Sequence, residues 1–174
     1  MESEAQADEA DRFDRLYRAT YRRVLAFVLR QVPEPAAQDV VSEAYTVAWR
    51  KRRQLPEEEH EAALWLMGVA RRVLANQTRS QRRWARLLLR AAEHPPPPVV
   101  VADDSGIGPA LTTLSAADQE VLRLAYWDDL PHRDIGVVLG VSAAAVATRL
   151  SRARERLRVA LDTLRNEEKT HADV

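Results

Sequence analysis

Apolar positions along the chain recur mainly three and four residues apart, and strand-like alternations are few. Phe13, Leu16, Tyr17, Tyr21, Val24, Leu25 and Val28 fall on one helical stripe, with Arg12, Arg15, Arg18, Arg22 and Arg23 mostly off it. That pattern predicts an amphipathic helix from Asp11 to about Val32, stopped by Pro33-Glu34-Pro35. Ala36 to Arg50 predicts a second helix with Val40, Val41, Ala44, Tyr45 and Ala48 on its apolar side. Lys51 to Ala62 is polar, Glu-rich and interrupted by Pro56, which reads as a loop. From Leu64 a third helix buries Leu66, Val69, Ala70, Val73 and Leu74, and leaves Trp65, Arg72, Asn76 and Arg79 off that stripe.

After Arg90 the periodicity stops. Four consecutive prolines, then Asp103-Asp104-Ser-Gly and Gly108-Pro109, describe a flexible, acidic linker over residues 91–109. Helical spacing resumes with Leu111 and Leu114, a capping-box-like Ser115-Ala-Ala-Asp118, and Val121, Leu122, Leu124 and Ala125 up to about Trp127. Pro131 suits the first position of the next helix, where Ile135, Val138 and Leu139 sit at i, i+3 and i+4. Gly140 then breaks the helix and Ser142 caps another, in which Val146, Leu150, Ala153 and Leu157 recur on one side. Helix, short glycine-containing turn and helix make a helix-turn-helix.

The expected fold is therefore all-α, with two small helical domains joined by a flexible linker. Residues 1–10 form a disordered acidic N-terminus, 11–90 the first domain, 110–165 the second and 166–174 a polar, disordered tail.

Net charge changes this picture only once it is located. Lys plus Arg and Asp plus Glu are equal at 26 each, but residues 1–11 hold five acids and no base, and 71–90 hold seven arginines and no acid. Residues 149–158 add five arginines against Glu155. Two separate basic patches suggest two contacts with a polyanion. No apolar run approaches the roughly 20 residues of a membrane span, so no membrane insertion is expected. The acidic start is unlike a secretory signal and points to a cytoplasmic protein. The absence of cysteine excludes disulfides and thiolate metal sites, and no cofactor is expected.

Arg149, Arg152 and Arg156 lie beside the apolar side of the last helix, where arginines of a recognition helix meet phosphates or guanine edges. Trp65, Arg72, Asn76 and Arg79 combine an aromatic ring, an amide and cations, which suits single-stranded nucleic acid, although Trp65 fits a bundle core equally well. Asp39 and Glu43 share a helix face. Paired carboxylates serve acid-base chemistry, metals or a basic partner, and on an open helix they are most often simply solvated. An enzymatic reading would rest on His60, His94, His132 and His171, all in expected loops or termini, and it ranks last.

The segment Leu114 to Leu157 closely resembles region 4 of bacterial sigma factors of the extracytoplasmic-function group. Phe13-Asp-Arg-Leu-Tyr17, Asp39-Val-Val-Ser-Glu-Ala-Tyr-Thr-Val-Ala-Trp49 and Trp65-Leu-Met-Gly-Val-Ala-Arg-Arg-Val-Leu-Ala-Asn76 are similar to region 2 of the same group. The resemblance spans roughly residues 11–165, in the family's order. It implies a non-enzymatic factor that binds core RNA polymerase and directs promoter recognition, melting and initiation. It places Asp39, Glu43 and Trp49 in the segment that docks on the beta-prime coiled coil. The loop from Arg52 to Ala62 and the helix bearing Trp65, Arg72, Asn76, Arg79, Arg82 and Arg83 correspond to the part that reads and melts the minus-ten element.

Region 4 sits on the beta flap in that family and reads the minus-thirty-five element of promoter DNA. Arg133, Ser142, Thr148, Arg149, Ser151, Arg152 and Arg156 map onto its DNA-facing positions, Arg149 and Arg156 as phosphate contacts. An anti-sigma factor is an implied partner. The sequence departs from its relatives at Ala143, Ala144, Ala145 and Ala147, where polar or basic residues are common, at Arg72, where Asn is common, and at Pro131, which replaces a Ser or Thr cap. The competing reading is a helix-turn-helix regulator that binds operator DNA without polymerase.

Overall fold

The computed structural model describes the backbone of residues 2–89 and 107–172, and the side chains of 7–80 and 107–166. Every regular element among them is helical. Helices α1 (Glu2–Leu29), α2 (Glu34–Arg50) and α3 (Glu59–Leu89) belong to one compact unit, and α4 (Gly108–Thr113), α5 (Ala116–Tyr126), α6 (His132–Leu139) and α7 (Ala143–Ala172) to another. Arg90 and most of the expected linker, residues 91–106, lie outside the described residues.

In the first unit the three helices pack against one another. Val24, Phe27 and Val28 of α1, Val40, Val41 and Ala44 of α2, and Leu66, Met67 and Ala70 of α3 are buried. Close packing makes these positions costly to truncate: Leu66→Ala would remove about 2–5 kcal/mol. Thr20 is the buried polar residue of α1, and its hydroxyl donates to the Leu16 carbonyl at 2.7 Å. With its only hydrogen so placed, Thr20 accepts from the Tyr45 hydroxyl, 2.8 Å away.

Several boundaries differ from the sequence expectation. Residues 1–10 were expected to be disordered, yet α1 begins at Glu2. Acids in a first helical turn favour the N-terminal end of the helix dipole, and Glu9 is anchored by ion pairs to Arg52 and Arg53. The first helix stops at Leu29, and Pro33 becomes the N-cap of α2 with Pro35 in its first turn. The polar loop is shorter than expected: a 3-10 turn covers Arg52–Gln54, and α3 starts at Glu59 with acids in its first turn. At the other end, α7 continues to Ala172 through the expected disordered tail.

The second unit wraps α4, α5 and α6 around α7. Leu111, Val121, Leu122, Leu124, Ile135, Val138, Val146, Leu150 and Ala153 form its buried core. The short helix α4 occupies residues assigned in part to the linker, because Pro109 falls at a helix start, where a missing N–H costs nothing. Ser115 caps α5 as expected, accepting from the Asp118 backbone N–H at 3.2 Å. Between α5 and α6 the chain turns through Asp129 at φ 49°, a left-handed conformation that Asp tolerates.

Candidate nucleic-acid and partner interfaces

The helix-turn-helix is built as the sequence spacing requires. Pro131 is the N-cap of α6, one position before the helical slot expected for it. Gly140 ends α6 with φ 70°, the left-handed position glycine fills without penalty. Ser142 Oγ accepts from the Ala145 N–H at 3.2 Å and starts α7. The two helices meet at 98°, within the usual range for this motif. Gly136 is a further requirement that sequence spacing did not reveal. A Cβ there would lie 2.7 Å from the Val141 carbonyl oxygen, so only glycine lets the turn close onto α6.

Burial of Val146, Leu150 and Ala153 turns the opposite side of α7 outward. Thr148, Arg149, Ser151 and Arg152 are all exposed there, as is Arg133 on α6. Thr148 donates its hydroxyl to the Ala144 carbonyl at 3.1 Å. Ala143 and Ala144 are exposed on the first turn, so the helix start offers methyl groups and few donors.

The five arginines of residues 149–158 are not equivalent. Arg154 donates to the Tyr126 hydroxyl and lies over its ring. Arg158 pairs with Glu155 at 2.8 Å and Asp162 at 3.1 Å; these carboxylates raise its pKa, and Glu155 is correspondingly held below the usual carboxylate range. Arg156 Nη1 donates to both carboxylate oxygens of Asp118 at 2.8 Å. Asp118 retains only 10% of its side-chain exposure, and Ser115 donates to it at 2.7 Å. Arg156 thereby ties α7 to the start of α5, while 58% of its side chain stays exposed. Arg149 and Arg152 carry no ion pair among the described residues.

On α3, Trp65, Arg72, Asn76 and Arg79 follow one another at i, i+7, i+11 and i+14, so the helix brings them onto one face. Trp65 is half-buried, serving the core edge and the outer face together. Arg72 Nε donates to the Gly68 carbonyl at 3.0 Å, and Arg79 reaches the Ala75 carbonyl and Asn76 Oδ1. These bonds hold both guanidinium groups along the helix with further N–H groups outward. The side chains of Arg82 and Arg83 lie outside the described residues, on the helical continuation of α3.

The remaining expected residues belong to α2. Asp39 and Glu43 are exposed on successive turns. Trp49 is 42% exposed, edge-on to Phe13 at 5.0 Å. It borders a cleft between α1 and α2 lined by Phe13, Tyr17, Tyr21, Tyr45 and Trp49. Burial pushes the Tyr45 hydroxyl up to about 12, so it remains a neutral donor to Thr20. The sequence placed Tyr17 on a buried stripe; it is 38% exposed and packs at 4.7 Å against Tyr45 in this cleft. Among the described residues, no group of three His, Asp or Glu side chains could hold a metal ion. No single described helix is long and apolar enough to cross a membrane.

One unit thus carries a right-angled helix-turn-helix and the other a helix face of arginines, an amide and an indole, and the family models give the class: a transcription initiation factor. Residues 16–84 match the family model described as sigma-70 region 2, and residues 107–157 that of sigma-70, region 4. The chain belongs to the sigma-70 family, in its extracytoplasmic-function group, and it is an alternative sigma factor.

It is similar to the ECF RNA polymerase sigma factor SigL of Mycobacterium tuberculosis, 28% identical over 171 residues that cover 93% of this chain and 96% of that protein. The ECF RNA polymerase sigma factor SigK of Mycolicibacterium vanbaalenii is 26% identical, covering 82% and 78%. Among solved structures, the sigma factor RpoE in complex with the anti-sigma factor NepR from Bartonella quintana shares the fold with a TM-score of 0.66. It is 22% identical and covers 86% of this chain and 96% of that one. CnrH in complex with the cytosolic domain of CnrY has a TM-score of 0.56 at 24% identity, covering 91% and 90%. The family comprises initiation factors, not catalysts, and the operator-binding regulator is not favoured.

Proposed function

We propose that this chain binds core RNA polymerase in the cytoplasm and divides promoter recognition between its two units. The observation that carries the reading is the occurrence of both region matches in one chain, in family order, with a complete helix-turn-helix in the second. Asp39, Glu43 and Trp49 stand at the exposed edge of α2, where carboxylates meet a basic partner and Trp49 supplies apolar contact. The beta-prime coiled coil is the partner the resemblance implies. The α3 face of Trp65, Arg72, Asn76 and Arg79, continued by Arg82 and Arg83, suits the opened minus-ten strand: guanidinium groups hold phosphates while the indole edge stacks on a base.

In the second unit, Arg152 and Ser151 face the minus-thirty-five major groove, with Thr148 adding its methyl. Arg149, Arg133 and the Ser142 hydroxyl hold the backbone, and the unit docks on the beta flap. The alanine-rich start of α7 reduces direct donor contacts and gives DNA shape a larger share of the specificity. An anti-sigma factor is the expected inhibitor, supported by the complexes formed by the two structural relatives. Promoter fragments, purified chain and core polymerase should yield specific run-off transcripts from genomic DNA. Failure on every genomic promoter, where a control sigma factor succeeds, would sink this reading.

A further inference from the structure

Glu9 is part of an anion fork that the charge pattern alone gave no reason to expect. It uses separate carboxylate oxygens on two consecutive arginines: Arg52 Nε donates to Oε2 at 2.8 Å and Arg53 Nε to Oε1 at 2.9 Å. The hydrogen bond from Arg53 leads the effects that hold the Glu9 carboxyl below its ordinary pKa. One turn along α1, Arg12 donates to the carbonyls of Leu55 at 3.0 Å and Pro56 at 3.4 Å. The start of α1 is thus fastened to the loop between α2 and α3. Arg52 also lies 4.8 Å from the ring centroid of Trp49, which fixes its guanidinium from the other side.

Two guanidinium groups converging on one carboxylate form a site that a phosphodiester fills equally well, since both ligands present paired anionic oxygens. Arg53 is 78% exposed at its side chain, so the fork opens to solvent. Both arginines begin the loop assigned above to the minus-ten element. The helix carrying Glu9 brings five acids and no base in residues 1–11, which repel an approaching phosphate. Helix-dipole complementarity explains acids at a helix start. It does not explain a carboxylate that bridges two arginines more than forty positions away in sequence.

We propose that Arg52 and Arg53 form a backbone-phosphate site for minus-ten promoter DNA, and that Glu9 occupies this site in the free chain as an internal competitor. The proposal rests on the sigma-factor reading and adds to it a ligand class and a regulatory contact. Promoter engagement must exchange Glu9 for phosphate, so removing the Glu9 charge strengthens DNA binding without touching core affinity.

The test uses holoenzyme made from the full chain, with a fork-junction fragment of a promoter mapped by run-off transcription, across a series of salt concentrations. Glu9→Gln should tighten DNA binding about twofold to fivefold, the scale of an exposed ion pair. Arg53→Ala should weaken binding and reduce the slope of log affinity against log salt by about 0.7, one single-strand phosphate contact. In the double variant the gain from Glu9→Gln should shrink, because Arg52 alone remains for Glu9 to occupy. Unchanged or weaker DNA binding by Glu9→Gln would show a contact that merely shapes the loop, and would overturn the proposal. So would an effect of Glu9→Gln on core affinity measured without DNA, which would assign the fork to the polymerase. If Glu9→Gln folds poorly, a wild-type salt slope for Arg53→Ala overturns the proposal by itself. Wild-type holoenzyme that binds no promoter overturns the sigma-factor reading and this proposal with it.

Discussion

Arg152 and Arg156 stand about one turn apart on α7, and their partners separate their roles. Arg152 is exposed without an ion pair among the described residues, whereas Arg156 is fixed on the nearly buried Asp118. Arg152→Ala should weaken transcription from promoters that need the minus-thirty-five element by about tenfold, the scale of one base contact, and leave core binding intact. Arg156→Gln should leave the salt slope of promoter binding unchanged and lower the stability of the C-terminal unit by about 1 kcal/mol, discounted for the exposure of Arg156. Thermal unfolding and binding isotherms distinguish the pair; a salt slope reduced by one for Arg156→Gln would make Arg156 a phosphate contact as well. In the other unit, burial raises Tyr45 to about 12 from an unfolded value near 10. A raised folded value favours the neutral hydroxyl, so this stabilisation is complete below about pH 10 and is lost as pH rises towards 12. Tyr45→Phe should flatten stability against pH across that window in chemical denaturation, and an unchanged alkaline loss would contradict the role given to Tyr45.

At the scale of elements, the turn between α6 and α7 offers two glycines with different reasons for being glycine. Gly140 has φ 70° with open space around it, so Gly140→Ala should cost about 1 kcal/mol of backbone strain. Gly136 has ordinary helical geometry but faces the Val141 carbonyl, so Gly136→Ala must push the turn away from α6. We expect a larger loss for Gly136→Ala, about 1–3 kcal/mol, together with weakened minus-thirty-five-dependent transcription. Equal denaturation midpoints for the two variants would show that the turn relaxes freely. Gly140 was legible from sequence because a helix-breaking glycine interrupts a periodic pattern. Gly136 was not, because a close approach to a backbone oxygen leaves no periodic trace. The same distinction explains the helix boundaries. Apolar periodicity located α2, α3, α5, α6 and the buried side of α7, but the polar extensions at Glu2, Glu59 and Ala172 carry no apolar stripe to read. The basic faces were legible as composition. Which arginines were already paired was not, since Asp118 and Arg156 meet across 38 residues of sequence.

For the whole molecule, balanced charge and two separate units have a joint consequence. With equal numbers of acids and bases, the chain has no strong long-range attraction for DNA, so its contacts with a promoter must add through covalent linkage. The described parts of the two units are joined through residues 90–106, which include the four consecutive prolines. Tethered modules gain affinity because the second binding event becomes intramolecular, and cutting the tether abolishes that gain while leaving each surface unchanged. A protease site placed in residues 95–104 therefore separates the two contributions. Cleavage within assembled holoenzyme should reduce initiation about tenfold or more at promoters that require the minus-thirty-five element, with the N-terminal unit remaining on core polymerase. Promoters with a strong minus-ten element and no minus-thirty-five dependence should lose much less. If cleaved and intact holoenzyme initiate equally at both kinds of promoter, each unit is held on polymerase strongly enough by itself, and the linker contributes nothing to promoter affinity.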